Sequence, residues 1–209
     1  MAYPDLWGEG TALISISAIG GSDVQFAAAV PSIDIDMGDK EFDMIQNIRG
    51  GQMKKRSPED VTTITFEGYP VNLDTTSTDV IQRFFVKYAS WDATQPLAAD
   101  NELLSFNDFR VIILWTQDLT VTTAQGLVPV GSEALRLIAK KCQLVSVKPS
   151  FTDNELKWTF KFKCVAHSKT AASGGPFETG VGGDDQSNLR WQSTSSAATL
   201  AAIGVYATT

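Results

Sequence analysis

The chain has 209 residues, a hydrophobic fraction of 43% and a formal net charge of −7. This length is enough for one full hydrophobic core, so we predict a single globular domain. No apolar run reaches the ~20 residues that a membrane helix needs, and residues 1–10 lack the pattern of a secretory signal, so we expect no membrane partner. The negative charge argues against a protein that grips nucleic acid by neutralising phosphates, but it suits one that lets nucleic acid slide past.

The sequence contains no motif for catalysis or metal binding. It has one histidine, His167, and no Cys-x-x-Cys, so the spacing of a metal site is missing. A Gly-x-Ser-x-Gly elbow, a Walker loop and a dinucleotide fingerprint are also missing. Cys142 and Cys164 lie in strand-like runs, and we predict unpaired buried thiols, although facing strands could bring them within disulfide reach. We therefore predict a protein that is not an enzyme and takes no cofactor.

The first third of the chain alternates apolar and polar residues with the period of half-buried strands. Asp34 and Asp36 lie on the polar face of one such segment, opposite Ile33 and Ile35, and Glu67 lies on the polar face of the next. The predicted strands here are residues 12–19, 24–30, 32–37 and 61–67.

A long connection, residues 38–60, separates the last two of these strands. It far exceeds the usual hairpin loop of about 2–5 residues. Its charged residues are segregated, with acids first and bases in the middle: Asp39, Glu41, Asp43, Arg49, Lys54, Lys55 and Arg56. Because it also carries apolar residues, we predict a projecting arm that a partner orders. A floppy surface excursion is the alternative.

One helix is predicted, over about residues 78–89. Ser77 or Thr78 can cap its N-terminus, and Asp79 meets the positive end of the helix dipole. Its apolar residues recur at helical spacing: Val80, Ile81, Phe84, Phe85 and Tyr88. Such a stripe is typical of a helix that packs on one face of a β-rich domain.

The second half of the chain contains the strongest strand signals. Residues 109–115 form an apolar run, and residues 133–147 form another after a polar loop. The clearest alternation runs from Leu156 to Cys164, with aromatic residues on one face and lysines on the other. A turn is predicted between the last two strands, at residues 149–154.

From Ser168 to Thr209 the composition changes to Gly, Ser, Thr and Ala with sparse apolar anchors, notably Trp191, Leu200 and Tyr206. We therefore divide the chain into a β domain at 1–167 and an extended C-terminal tail at 168–209. The tail is expected to lie across a neighbouring subunit or on the protein's own surface, and the neighbour is the preferred site. Simple disorder is the alternative.

This layout resembles the major tail tube protein of long-tailed viruses of bacteria or archaea. The resemblance covers roughly residues 12–167 and rests on the order of the elements and on the segments FEGYP (66–70) and KWTFKFKC (157–164). It implies a mainly β fold, a β-sandwich or barrel with one flanking α-helix, a long inter-strand arm and an extended C-terminal tail. Tube proteins of contractile systems share that fold.

The resemblance further implies a structural subunit of a viral tail tube, located in the virion tail and assembled in the host cytoplasm. Hexameric rings would stack, with other tail proteins, into a hollow tube that conducts genomic DNA to the host cell. The arm would reach the adjacent ring, and the lumen would be predominantly acidic. The lumen candidates are Asp34, Asp36 and Glu67, which could equally be ordinary solvent-facing carboxylates.

Two other classes of function remain open from the residues alone. A soluble carbohydrate-binding β-sandwich module would need an exposed aromatic platform, for which Trp91, Trp115 and Trp191 are available. A hydrolase on a β scaffold would need a convergent acid, base and nucleophile, and no such set can be assembled from the sequence.

Overall fold

The computed structural model describes residues 11–18, 24–29, 32–38, 42–46, 51–56, 61–70, 109–152, 155–165, 188–194, 199–204 and 206. Ten strands occur in these ranges: β1 (Thr11–Ala18), β2 (Val24–Ala29), β3 (Asp34–Asp36), β4 (Phe42–Gln46), β5 (Gln52–Arg56), β6 (Thr62–Pro70), β7 (Phe109–Thr116), β8 (Ala134–Thr152), β9 (Glu155–Cys164) and β10 (Leu189–Ser193). The predicted mainly β fold is confirmed. The predicted helix at 78–89, residues 1–10 and His167 lie outside the described residues.

Six of the strands close into an antiparallel barrel. Around it β1 pairs with β2, β2 with β6, β6 with β9, β9 with β8, β8 with β7, and β7 with β1. β3 is added to β6 and β10 to β8 as outer strands. Closure pairs the two edges of a sheet with each other, so most of its backbone groups find partners.

In the described chain, no helix is long and apolar enough to cross a membrane.

The barrel interior is filled by one apolar row from each strand. The rows of β6 and β9 were predicted from alternation alone, and Ile64, Phe66, Phe160 and Phe162 are indeed buried. The ring centroids of Phe66 and Phe160 lie 5.2 Å apart, and those of Phe26 and Phe160 lie 4.9 Å apart. These separations fall in the range that aromatic pairs prefer. Among the described residues, the interior therefore holds a packed aromatic cluster.

β8 is the longest of the described strands, and it pairs with two neighbouring strands of the barrel. Its first part pairs with β7 and its second part with β9. β8 has a bulge at Lys141, whose φ is +54°, close to the point where its pairing changes from β7 to β9, and a second bulge at Val145 within the part that pairs with β9. A bulge bends a strand and increases its twist, which a single strand needs if it is to turn a barrel corner. The turn predicted at 149–154 is narrower, because β8 continues to Thr152.

A second apolar core lies outside the barrel, on the face of β1, β7 and the first part of β8. A loop at residues 117–133 and the segment 199–206 cover that face. Val128 and Leu200 exchange two backbone hydrogen bonds of 3.0 and 3.1 Å. The residues buried in this core are Ile112, Leu114, Ala124, Val128, Ala134, Ile138, Leu200 and Ile203. Both faces of β7 are therefore covered, which explains its continuous apolar sequence.

The C-terminal anchors pack on their own domain where the structure describes them. Leu200 lies in the second core, and Tyr206 is fully buried. The Tyr206 hydroxyl accepts a hydrogen bond of 3.2 Å from the Lys141 backbone N–H, and the Arg110 guanidinium lies over the Tyr206 ring. Within the single chain both anchors are thus buried against their own domain, and the preferred expectation, a pocket on a neighbouring subunit, stays a prediction. Sparse apolar residues are sufficient to anchor this segment because the barrel supplies the other half of the core.

Asp118 fastens the two ends of the covering loop. Its carboxylate accepts hydrogen bonds from the Thr120 backbone N–H and hydroxyl and, at 2.6 Å, from the Ser132 hydroxyl. The bonds from Ser132 and then Thr120 hold the pKa of the Asp118 carboxyl below its ordinary value. The ionised form therefore favours the closed loop.

Candidate assembly surface

The other half of the barrel surface is polar, and no segment among the described residues covers it; we call it the open face. It is formed by β3, β6, β9 and the second part of β8. Asp34 lies opposite Thr65 and Asp36 opposite Thr63, and the same threonines lie opposite lysines on β9. An acidic row, a threonine row and a lysine row therefore run side by side. The two lysines are Lys161 and Lys163, and both are exposed.

Glu67 belongs to this same face. It is exposed on β6, in register with Thr159 on β9, which in turn lies opposite Lys148 on β8. The structure thus brings together the three predicted lumen residues, which we call the carboxylate set (Asp34, Asp36 and Glu67). It also places exposed lysines on the same surface, which the sequence interpretation did not anticipate.

The acidic and basic rows are separated by the threonine row of β6. Neighbouring strands lie about 4.8 Å apart, so β3 and β9, which flank β6, are separated by roughly 10 Å. The open face therefore presents two stripes of opposite sign rather than a uniformly acidic surface.

The outer strands flank the barrel on its two sides. In the described chain β3 pairs only with β6, and β10 pairs only with β8. β3 has three residues and carries two exposed carboxylates, and short charged strands resist unspecific edge pairing. Any partner that adds to β3 must therefore tolerate or match its acidic row.

The chain leaves the open face for the arm at Gly38. This glycine has a φ of +72°, which favours residues without a Cβ, and its N–H donates a 2.9 Å hydrogen bond to the Asp36 carboxylate. Met37 before it, Val61 at the arm's return and Val165 beyond β9 are all exposed. Exposed apolar side chains therefore gather at the root of the arm, as they do at contact surfaces.

Within the arm, β4 and β5 form a two-stranded antiparallel sheet of their own. The register places position 43 across from 55 and position 44 across from 54. The acidic and basic runs of the arm therefore meet at one position within a single chain. Of the seven predicted arm residues, Asp43, Lys54, Lys55 and Arg56 lie on these strands, and Asp39, Glu41 and Arg49 lie outside the described residues. We call Lys54, Lys55 and Arg56 the basic triplet.

Trp191, the third predicted tail anchor, lies on β10 and is 43% exposed. Its ring stacks on Trp115 of β7, with centroids 5.9 Å apart and planes 15° from parallel. β7 and β10 both pair with β8. The registers of these two pairings, which the sequence pattern cannot supply, bring the two rings together. Trp91, the third member of the possible aromatic platform, lies outside the described residues.

Sequence reasoning missed three buried basic residues on β7 and β8: Arg110, Arg136 and Lys140. Arg136 donates a 2.8 Å hydrogen bond to the Ala201 carbonyl and another to the Gly126 carbonyl. It therefore joins the covering loop and the C-terminal segment to the barrel. A lone arginine inside an apolar strand run was the available signal, because burial of a charge demands partners.

Comparisons with known proteins give a fold likeness at low similarity. No protein-family model matches the sequence, and no curated protein matches it. Among solved structures, a chain of the sheath–tube complex of an extracellular contractile injection system (PVC, extended state) is 12% identical, with 87% of this chain and 88% of that chain covered and a TM-score of 0.40.

Two further solved structures are similar at the same level. The tube-terminating cap of the anti-feeding prophage is 12% identical, with coverage of 93% and 94% and a TM-score of 0.39. The Hcp1 protein of E. coli EAEC 042 is 10% identical, with coverage of 74% and 87% and a TM-score of 0.32. Identities and TM-scores this low assign no function to the chain.

Proposed function

We propose that the chain is a structural subunit of a viral tail tube, in which hexameric rings stack around a channel that conducts genomic DNA. The observation that carries the proposal is the division of the barrel surface. One half is sealed by the second core, and the other half is an open polar sheet beside a hairpin arm. A subunit that must line a channel and also touch its neighbours needs such a surface. We assign no catalytic role to it.

The outer strands provide the means of ring formation. β3 and β10 lie at opposite ends of the strand path, so contact between the β3 side of one copy and the β10 side of the next is heterologous. A heterologous contact gives a ring when its rotation closes and a filament when it does not. A short acidic β3 then selects the partner, because like-charged edges repel each other.

We propose that the open face, with the carboxylate set, borders the channel. A phosphate backbone is repelled by the acidic row and meets the lysine row only as a narrow stripe. This differs from the predominantly acidic lumen implied by the family resemblance, since lysines share the face. DNA would be held weakly and could still move.

We propose that the arm joins successive rings. Its two strands form a sheet independent of the barrel, and exposed apolar side chains gather at its root. The basic triplet then supplies charge complementarity, which fixes register between rings more than it adds affinity. The assembled tube would sit in the virion tail beside other tail proteins, after assembly in the host cytoplasm.

The first test is the state of assembly of the purified chain. We expect size-exclusion chromatography with light scattering to show multiples of a ring at high protein concentration, and negative-stain images to show rings or tubes. A variant with the basic triplet changed to glutamate is the matched control, because rings should persist while stacking is lost. A protein that stays monomeric, or that stops at a closed dimer, contradicts the proposal.

A second candidate function, a carbohydrate-binding module, is favoured by one observation, the partly exposed Trp191 ring stacked on Trp115. Such a ring could stack on the apolar face of a sugar. Titration of the protein with neutral oligosaccharides, followed by tryptophan fluorescence, tests this function. A saturable change that Trp191→Ala abolishes would favour it over the tube, and an unchanged spectrum would exclude it for the sugars tested.

A further inference from the structure

The only two cysteines of the chain are directly opposite each other in the barrel. Cys142 on β8 and Cys164 on β9 are register partners, and both are fully buried in the interior core. Neither cysteine is in a disulfide in this structure. The Cys164 thiol donates a hydrogen bond of 3.0 Å to the Lys140 carbonyl, and the Cys142 thiol lies 3.9 Å from the same oxygen. The two sulfur atoms therefore share one small region of the core.

The geometry of this strand pair suits a disulfide. Directly opposed residues of antiparallel strands have Cα atoms about 4.5 or 5.5 Å apart, depending on the type of pair. Both values fall inside the range of about 4.4–6.8 Å found across disulfides. Their Cβ atoms lie about 4.5–5.5 Å apart, so the bond requires an approach of up to about 1 Å.

The bulges of β8 provide room for that approach. Cys142 lies between the bulge at Lys141 and the one at Val145. Bulged segments depart from the regular ladder and carry extra local twist. The regular ladder around Cys142 is therefore short, residues 142–144 on the β9 side, and it is bounded by irregular positions that can absorb a small local shift.

We propose that Cys142 and Cys164 are a disulfide-forming pair that covalently closes the β8–β9 seam of the barrel when the protein meets a low-molecular-weight disulfide oxidant. This inference is independent of the proposed function. It extends the sequence prediction of two unpaired thiols, which describes the reduced state.

The chemistry is thiol–disulfide exchange. One cysteine thiolate attacks the oxidant, which releases one small thiol and leaves a mixed disulfide on the protein. The second thiolate then attacks the sulfur of the first cysteine, and the second small thiol leaves. In total the protein loses two protons and two electrons, and one molecule of oxidant is reduced to two thiols. Because both sulfur atoms are buried, exchange must pass through opening of the β8–β9 pair, so it should be slow.

A covalent bond at the β8–β9 seam affects the closure of the whole barrel. β9 is the strand that links β6 to β8 and so completes the closed circuit of six strands. A bond between β8 and β9 prevents the barrel from opening there, and it also restricts the unfolded chain. From loop-closure entropy and a protein of this size, we expect a rise in Tm of about 6–12 °C.

The experiment uses the full-length protein and oxidised glutathione as the probe. After incubation, acid quenching and alkylation in denaturant, we expect a product lighter than the reduced protein by about 2 Da, with no alkylated thiol. Peptide mapping without reduction should find the segments around Cys142 and Cys164 joined. The Tm should rise as this product accumulates and return to its original value after dithiothreitol.

Two matched variants, Cys142→Ser and Cys164→Ser, each keep one thiol and should show no rise in Tm. If both variants fail to fold, the return of the Tm to its original value after dithiothreitol, measured on the natural sequence, still tests whether the disulfide caused the rise. The proposal is overturned if both thiols remain available for alkylation, if the product carries two glutathione adducts, or if the cysteines join two chains instead of one.

Discussion

Leu200→Ala tests whether the C-terminal segment belongs to its own domain. The Leu200 side chain is only 5% exposed and lies in the core outside the barrel, against the loop at 117–133. The change removes its side-chain contacts but keeps both backbone hydrogen bonds to Val128. A loss of folding stability therefore measures the packing of that side chain alone.

The expected loss of unfolding free energy is about 3 kcal/mol, within the range of about 2–5 kcal/mol for a buried leucine changed to alanine. For a chain of this size that corresponds to a fall in Tm of about 6–12 °C. With a urea slope of about 2–3 kcal/mol/M, the unfolding midpoint should fall by roughly 1–1.5 M.

The assay is urea unfolding at a protein concentration low enough for light scattering to show a monomer. Leu127→Ala is the matched control, because Leu127 lies in the same loop but is 56% exposed. It should change the unfolding free energy by less than about 0.5 kcal/mol. If Leu200→Ala leaves the monomer unchanged and weakens only the assembled form, Leu200 docks on a neighbour and the assignment is wrong.

Three further predictions concern the arm, the open face and the loop. Changing the basic triplet to glutamate should block stacking while leaving the Tm of the subunit within about 2–4 °C, because β4 and β5 form a sheet separate from the barrel; tubes that form normally would remove the arm from that role. Changing the carboxylate set to lysine should leave tubes standing but slow DNA ejection from particles, because lysines bind phosphates; unchanged ejection kinetics would contradict the channel assignment. The pKa of Asp118 is lowered, so its contribution to stability is present above the ordinary pKa of 3.8 and is lost as pH falls through the lower, folded-state value. The Tm difference between the natural protein and Asp118→Asn should therefore be largest near pH 7 and vanish in acid. A Tm difference that stays constant with pH would refute this role.

The strands with one buried face were readable from the sequence. On β9, alternation between Phe160, Phe162 and the lysines between and after them gave the correct inward and outward faces, because period two is a local property. The exposure of Asp34 and Asp36 followed from the same rule. Closure of the barrel did not, because it depends on which strands pair across long stretches of chain.

The sequence was least informative where a local pattern lacked its partner. Leu200 and Tyr206 stand among small residues, so the segment resembled a tail, whereas the covering loop and the barrel face complete its core. The lysine row was visible in the sequence as the outer face of β9. Its place beside the acidic row required the β6 register, which no local pattern reveals.

The most direct test of the central claim is a cryo-electron microscopy reconstruction of the purified protein at high concentration. The account predicts stacked six-membered rings in which β3, β6 and β9 turn their open face to the channel and residues 42–56 contact the next ring. Particles that remain single barrels would contradict it, and so would rings whose channel is lined by the loop at 117–133.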